Sequence, residues 1–249
     1  LLKHSGWDCV GATMTLYRNE DIGISRSRTC CSLEDVEDAR SVAFRLRIPY
    51  YVFNFSDEFR RQVMDRFADA YGQGRTPNPC IDCNRYLKFR HLYDRAALLG
   101  CDAIATGHYA RIERENGRYL LKKALDASKD QSYVLYMLTQ EQLAHTQFPL
   151  GALHKAETRQ LADSLGFFNA RKPDSQDICF VPDGDYAAFI RRHTGKADIP
   201  GDFVDESGRI LGRHKGIAHY TIGQRKGLGI PSNRPLYVKA IDLKSNQVI

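Results

Sequence analysis

The chain has 249 residues, 43% of them hydrophobic and 27% charged, with a net charge of +6. Such a length holds one large domain or one with a smaller companion, and the composition is that of a soluble globular protein. No apolar stretch reaches the roughly 18–20 residues of a bilayer span, which excludes the helical membrane classes.

The first ten residues lack an initiating Met, and Trp7 to Leu16, apolar and rich in β-branched residues, predicts a buried strand. Ser32-Leu-Glu-Asp35 resembles a capping box opening a helix through Leu46, which Pro49 ends. Tyr50 to Phe55 is a second strand, and Ser56 starts a long amphipathic helix that stops near Gly72. A Gly-, Pro- and Asn-rich loop follows, carrying Cys80 and Cys83, before a helix from Tyr86 to Leu99 with Gly100 suited to its C-cap. Asp102 to Thr106 is a third strand, and Arg111 to Leu121 a hairpin turning at Asn116-Gly117. Helical patterns run from Gln131 to Leu138, from Ala156 to Leu165 and from Tyr186 to His193. Asp202 to Leu211 reads as a second hairpin, and Leu236 to Asp242 as the first strand of an uncompleted unit. The chain ends inside that pattern, so a fragment lacking both ends is expected.

Strands alternating with helices predict an α/β fold, a doubly wound and mainly parallel sheet, followed by a small mixed or β domain. The expected division is 1–184, 185–233 and 234–249, the last opening a β-barrel. Ligands of such sheets sit beyond the carboxyl ends of the strands, near Met14 and Gly107.

Seven cysteines, an odd number, do not make a secreted disulfide framework, so a reducing cytoplasmic setting is expected. Cys83 and Cys179 lie among turn-forming and polar residues, where a thiol is reachable and a thiolate can be stabilised. Two such thiols far apart in sequence suggest a persulfide or transient disulfide; a half-buried packing cysteine suits Cys179 equally. Cys9 and Cys101, in or beside apolar segments, are expected to fill core. Cys80-Ile-Asp-Cys83 would need Cys30-Cys31 to complete a zinc site, and adjacent cysteines chelate one tetrahedral ion poorly. No tightly bound metal is therefore expected. His108 follows a strand end, where it suits phosphate donation or titration near neutrality, or simply a hydrogen-bonded loop. Lys129 and Gln131, in Ser128-Lys-Asp-Gln-Ser132, suit phosphate or base-edge contact, or an ordinary helix cap. His219 to Gly229 mixes aromatic, cationic and Gly residues as nucleic-acid surfaces do, and as basic surface turns also do.

These stretches together resemble the tRNA-specific 2-thiouridylase family. The matching runs are Gly11 to Leu16, Cys30-Cys31-Ser32, Thr76 to Pro79 with Cys83-Asn84, and Ala105 to Arg111. They continue with Lys129 to Tyr133, Phe148 to Gly151, Ile178-Cys-Phe180 and Tyr220 to Gly229, in family order along essentially the whole chain. The resemblance implies a domain of the PP-loop ATP pyrophosphatase type, related to adenine nucleotide hydrolases. It implies ATP with Mg²⁺, tRNA, and a sulfur donor, either a cysteine desulfurase or a persulfide relay protein, with the protein a monomer. Carried over by motif, Cys179 bears the persulfide and Cys83 is the partner nucleophile, the two closing a disulfide on sulfur transfer. Met14 and Gly107 fall where the family contacts ATP. Asn78, Pro79 and Cys80 fall in the loop that holds the target base. His108 and Lys129-Asp130-Gln131 fall where tRNA is contacted. Cys80 departs from members carrying Asp there, and the Ser-Gly-Gly-x-Asp-Ser pyrophosphate loop is absent, so poor turnover of the chain as written is expected. The competing readings are another PP-loop ligase and a non-catalytic, zinc-stabilised RNA-binding module.

Overall fold

A computed structural model describes residues 1–22, 33–167, 170 and 177–249. Ser32, which opens the expected capping box, lies outside the described residues, as do Cys30 and Cys31 of the candidate zinc site. The chain forms two compact units. Leu1–Arg18, Arg28–Phe59 and Cys80–Gln176 make the first, and Asn19–Ser27, Arg60–Pro79 and Asp177–Ile249 the second.

In the first unit β1 (Gly11–Thr15) and β2 (Tyr50–Asn54) pair in parallel, with Met14 opposite Phe53. The helix between them, α1 (Leu33–Leu46), supplies the crossover that parallel strands require. Tyr50 locks the pair from the side, its hydroxyl donating to Thr13 Oγ1 at 2.7 Å. Farther along, β3 (Ile104–Ala105) pairs in parallel with β6 (Thr146–Gln147). The α/β character and parallel pairing match expectation, but the strands are shorter: residues 7–10 and 102–103 are outside them. β6 had no apolar alternation to announce it; Thr146 is buried and its hydroxyl donates to Gln142 O at 2.6 Å.

The hairpin β4 (Ala110–Glu115) and β5 (Arg118–Lys123) turns at Asn116 and Gly117, both at positive φ (48° and 77°). That is the backbone an Asn-Gly turn is chosen to adopt. The expected helix from Ser56 forms as α2 (Ser56–Phe59), a wider π-type stretch (Arg60–Met64) and α3 (Asp65–Gly72).

Two expectations are corrected. Cys80 and Cys83 are not in a loop: α4 (Pro79–Asp82) already contains Cys80, and a π-type segment (Cys83–Leu92) continues into α5 (Tyr93–Leu98). Pro79 explains the early start, because its fixed φ and missing N–H suit the first helical position. Conversely, the helix expected over 131–138 is a single 3₁₀ turn, Ser132–Val134. Its start is diverted, since Gln131 N donates to Tyr109 O and the Asp130 carboxylate accepts from Ser132. Short helices complete the unit, α6 (Gln140–Ala144) with a Thr139 and Gln142 capping box and α7 (Lys155–Ser164).

The first core gathers Phe89, Ile104, Ala110, Val134, Leu135 and Phe148. In the second unit Phe67 of α3 meets Phe180 edge-on (5.3 Å) and Phe189 (5.9 Å) of α8 (Tyr186–Thr194). A four-stranded sheet follows in the order β8-β7-β10-β9: β7 (Gly201–Val204), β8 (Ile210–His214), β9 (Ile241–Asp242) and β10 (Gln247–Val248). β10 runs parallel to β7 and antiparallel to β9. The strand expected from Leu236 is thus confined to Ile241–Asp242, and residue 234 falls between β8 and β9 of one sheet. Among the described residues no helix is long and apolar enough to cross a membrane.

Candidate functional site

Cys83 stands where the helix widens from α4 into its π-type segment, a geometry that frequently marks functional positions. Cys80 is exposed and Cys83 half-buried. The next residue, Asn84, is 1% exposed and its Nδ2 donates to Val134 O at 3.0 Å. That bond fixes the thiol-bearing helix to the segment after Lys129-Asp130-Gln131. The sequence marked Asn84 only as part of the Cys83-Asn84 match to the family, with no structural role attached to it.

Gln131 and Asp130 work inward. Gln131 Oε1 accepts from Tyr109 N at 3.0 Å while Gln131 N donates to Tyr109 O at 2.8 Å, a two-bond clamp beside His108. Asp130 accepts from Ala124 N at 2.8 Å and from the Ser132 hydroxyl at 2.7 Å. Burial opposes its charge, but the Ala124 and Ser132 donors outweigh it and hold the carboxyl below its usual range. These bonds, rather than a helix start, make the segment rigid.

His108 is 8% exposed, with Thr106 Oγ1 2.7 Å from its Nδ1 and the rings of Phe89 and Phe148 at 6.0 and 5.8 Å. Burial first, then the charge of Lys88, push its imidazole down to about 3. The expectation of titration near neutrality is therefore corrected: His108 is neutral at physiological pH, a hydrogen-bonding group and not a cation. Its pH signature is definite. As pH falls below 6.5 the unfolded chain takes up this proton before the folded one does, so stability present above 6.5 is lost towards pH 3. Wild type is expected to lose about 1.4 kcal/mol per pH unit across that window relative to His108→Gln. Urea unfolding of both proteins at several pH values measures it; parallel curves would refute a neutral, buried His108.

Gly107 lies just past the end of β3, where an added Cβ would meet only Leu150 Cδ1 at 3.7 Å. That is ordinary van der Waals contact, so a methyl group would fit there against Leu150 without a clash. Met14 is near the carboxyl end of β1. Met14 is thus one residue before the end of β1 and Gly107 two residues past the end of β3. Cys9 and Cys101 are half-buried, not the core-filling residues expected.

In the second unit Asn78 immediately precedes α4, and Cys179 sits half-buried on a turn closed by Val181 N donating to Ile178 O at 2.8 Å. Phe180 and Val181, each 1% exposed, anchor one side of that turn. On the other side the Tyr186 hydroxyl donates to Asp177 Oδ1 at 2.9 Å. Burial, then the Asp177 carboxylate, push that phenol up to about 12, so the bond persists across the working pH range. Both alternatives for Cys179 thus share a backbone held by its neighbours.

The basic stretch after His219 is braced from within. Gln224 Oε1 accepts from Thr221 N at 2.9 Å, and its Nε2 donates to Lys226 O at 3.0 Å. Gly223 N and Gln224 O bond to Val238 O and N, stitching the turn to the core that holds Tyr220 and Val238. Arg225, Lys226 and Arg234 are left exposed, Arg225 and Arg234 lining an open hollow of about 440 Å³ with Ser232.

A family profile described as the tRNA methyl transferase HUP domain matches residues 1–183, and one described as the tRNA methyl transferase PRC-barrel domain matches residues 187–249. The chain is similar to a tRNA-specific 2-thiouridylase MnmA of Lachnoclostridium phytofermentans, 54% identical over 251 residues, all of this chain and 70% of the relative. It is 54% identical over 252 residues to the tRNA-specific 2-thiouridylase MnmA 1 of Thermoanaerobacter sp. X514, covering 69% of that protein. The MnmA of Clostridioides difficile is 50% identical over 251 residues, with the same 69% covered.

Proposed function

Because the chain belongs to the tRNA-specific 2-thiouridylase family, we propose that it replaces the C2 oxygen of wobble uridine 34 in tRNA with sulfur. Its fold is a HUP-type α/β domain followed by a barrel-type domain. The observation that carries the reading is 54% identity sustained over the whole chain to a protein of that name. The test is nucleoside mass spectrometry of tRNA incubated with the gene product that carries this chain, ATP and a sulfur source. Absence of 2-thiouridine with all components present would refute it.

A carbonyl oxygen leaves poorly, so it must first become part of a better leaving group. Uridine O2 attacks the α-phosphorus of ATP and pyrophosphate departs. Sulfur then adds at C2, and AMP carries the oxygen away. Met14 and Gly107 are the residues assigned to ATP, with Mg²⁺ accompanying its phosphates. Asn78, Pro79 and Cys80 are assigned to the target base, and His108 with Lys129 to the tRNA. Asp130 and Gln131 serve that contact by holding its backbone, as their internal bonds support.

Cys179 carries the sulfane sulfur, received from a cysteine desulfurase or a persulfide relay protein. Attack of the Cys83 thiolate on the Cys179 sulfur breaks the persulfide bond and releases the terminal sulfur to C2. A Cys83–Cys179 disulfide remains, and a cellular dithiol supplies the two electrons that reset it. A monomer in the cytoplasm completes the proposal.

Binding itself gives a separate expectation. Exposed Arg225 and Lys226 on the Gln224-braced turn suit phosphodiester contact. Replacing both by Ala is expected to lower the log–log salt slope of tRNA binding by about 0.7–0.9 per lost contact. Fluorescence titrations at four salt concentrations read that slope, and an unchanged one would remove the turn from the interface.

A further inference from the structure

Tyr133 and Tyr136 are 62% and 66% exposed, although Val134 and Leu135 between them are 5% and 0% exposed. Among the described residues neither ring has an aromatic neighbour, and neither hydroxyl has a hydrogen-bond partner. Large aromatic side chains held in water on an otherwise packed segment need a reason, because burying them would be favourable.

The backbone gives these rings no route inward. Asn84 Nδ2 holds Val134 O, Val134 N donates to Gln131 O, and Leu135 N donates to Ser132 O. Gln131 is itself clamped to Tyr109, and Asp130 grips Ser132. With Val134 and Leu135 committed to the core around Phe89 and Phe148, the flanking tyrosines must face out. The same Asn84 bond places this segment against the helix that begins its π-type stretch at Cys83.

A rigid backbone displaying outward aromatic rings is what base stacking requires, because little side-chain freedom is left to lose. Each ring stands beside buried residues and the polar run 128–132, so the two do not form the broad apolar surface that a protein interface prefers. We propose that Tyr133 and Tyr136 form a stacking platform for unpaired bases of the RNA substrate, beside the Cys83 helix. The inference rests on the tRNA reading above and deepens it. It names single-stranded, splayed bases as the feature recognised, since bases inside a duplex already stack on one another.

The test titrates this chain and its Tyr133→Ala, Tyr136→Ala, Tyr133→Phe and Tyr136→Phe variants with two RNAs of equal length. One is an anticodon-loop hairpin and the other a fully paired duplex. Each Ala variant is expected to bind the hairpin about 5- to 150-fold more weakly, with its salt slope unchanged. Duplex binding should not move, and Phe should restore hairpin binding because stacking needs the ring and not the hydroxyl. Ala variants that bind the hairpin like wild type, or lose duplex binding equally, would overturn the platform. So would Phe variants that fail to recover. Loss of a self-associated species in sedimentation of the Ala variants without RNA would assign the rings to a second copy instead. A wild-type chain that binds neither RNA would overturn the tRNA reading itself, an outcome distinct from all of these.

Discussion

Replacing Cys179 by Ser is expected to reduce 2-thiouridine formation below detection while leaving tRNA affinity within about 2-fold of wild type. The reason is covalent: a hydroxyl cannot hold a sulfane sulfur through an S–S bond, so no transferable sulfur is loaded. The substitution should be mild for the fold. Cys179 is half-buried on a turn whose shape is set by the Val181–Ile178 bond and the Tyr186–Asp177 bond, neither of which uses its sulfur. A stability change within about 1 kcal/mol is therefore expected. Cys83→Ser should separate the steps. It should still accept labelled sulfur on Cys179, seen by mass spectrometry of the intact protein, yet fail to pass it to tRNA. Persistent 2-thiouridine in the Cys179→Ser protein would end the sulfur-transfer assignment of that residue.

The largest stability loss is expected at Gly151. A Cβ there would lie 1.7 Å from Ala110 O and 2.5 Å from its carbonyl carbon, contacts with rigid backbone and not with a side chain that could swing away. Gly151 is also bonded on both sides, its N donating to Phe148 O at 3.1 Å and its O accepting from Leu125 N at 2.9 Å. Ala110, fully buried in the first core, begins β4 directly after His108-Tyr109. Gly151→Ala must therefore displace backbone that supports the candidate site, at a cost of about 3 kcal/mol or more. Urea unfolding reads the loss as a lower midpoint with an unchanged slope; a midpoint within error of wild type would show that the packing is looser than these distances imply.

Much of this was legible in the chain because local chemistry and tertiary context agreed. Asn116-Gly117 turns where its backbone preference says, and the helix pattern over Leu33–Leu46 lies between two parallel strands as the alternation implied. Where the reading went astray, hydrogen bonds and packing outside the apolar pattern had intervened. Apolar spacing over 131–138 is helical on paper, but Tyr109 takes the Gln131 amide and Asp130 takes Ser132. His108 looked like a group near neutrality because a sequence does not display Phe89 and Phe148 around it. Cys83 is visible as a reachable thiol; Asn84 is visible as part of the same family match, but its bond to Val134, which ties the helix down, is not. The strand at Thr146–Gln147 carries no pattern of its own and exists because Ile104–Ala105 offers it an edge.

The aromatic cluster of the second unit has a consequence for biosynthesis. Phe67 leaves the ribosome more than a hundred residues before Phe180 and Phe189, the rings it packs against. At elongation speeds of roughly 5–20 residues per second, that segment of the nascent chain waits about 6–25 s with its apolar face uncovered. Slow codons or a chaperone acting between those two points of translation should thus change the yield of folded protein more than the same intervention placed later.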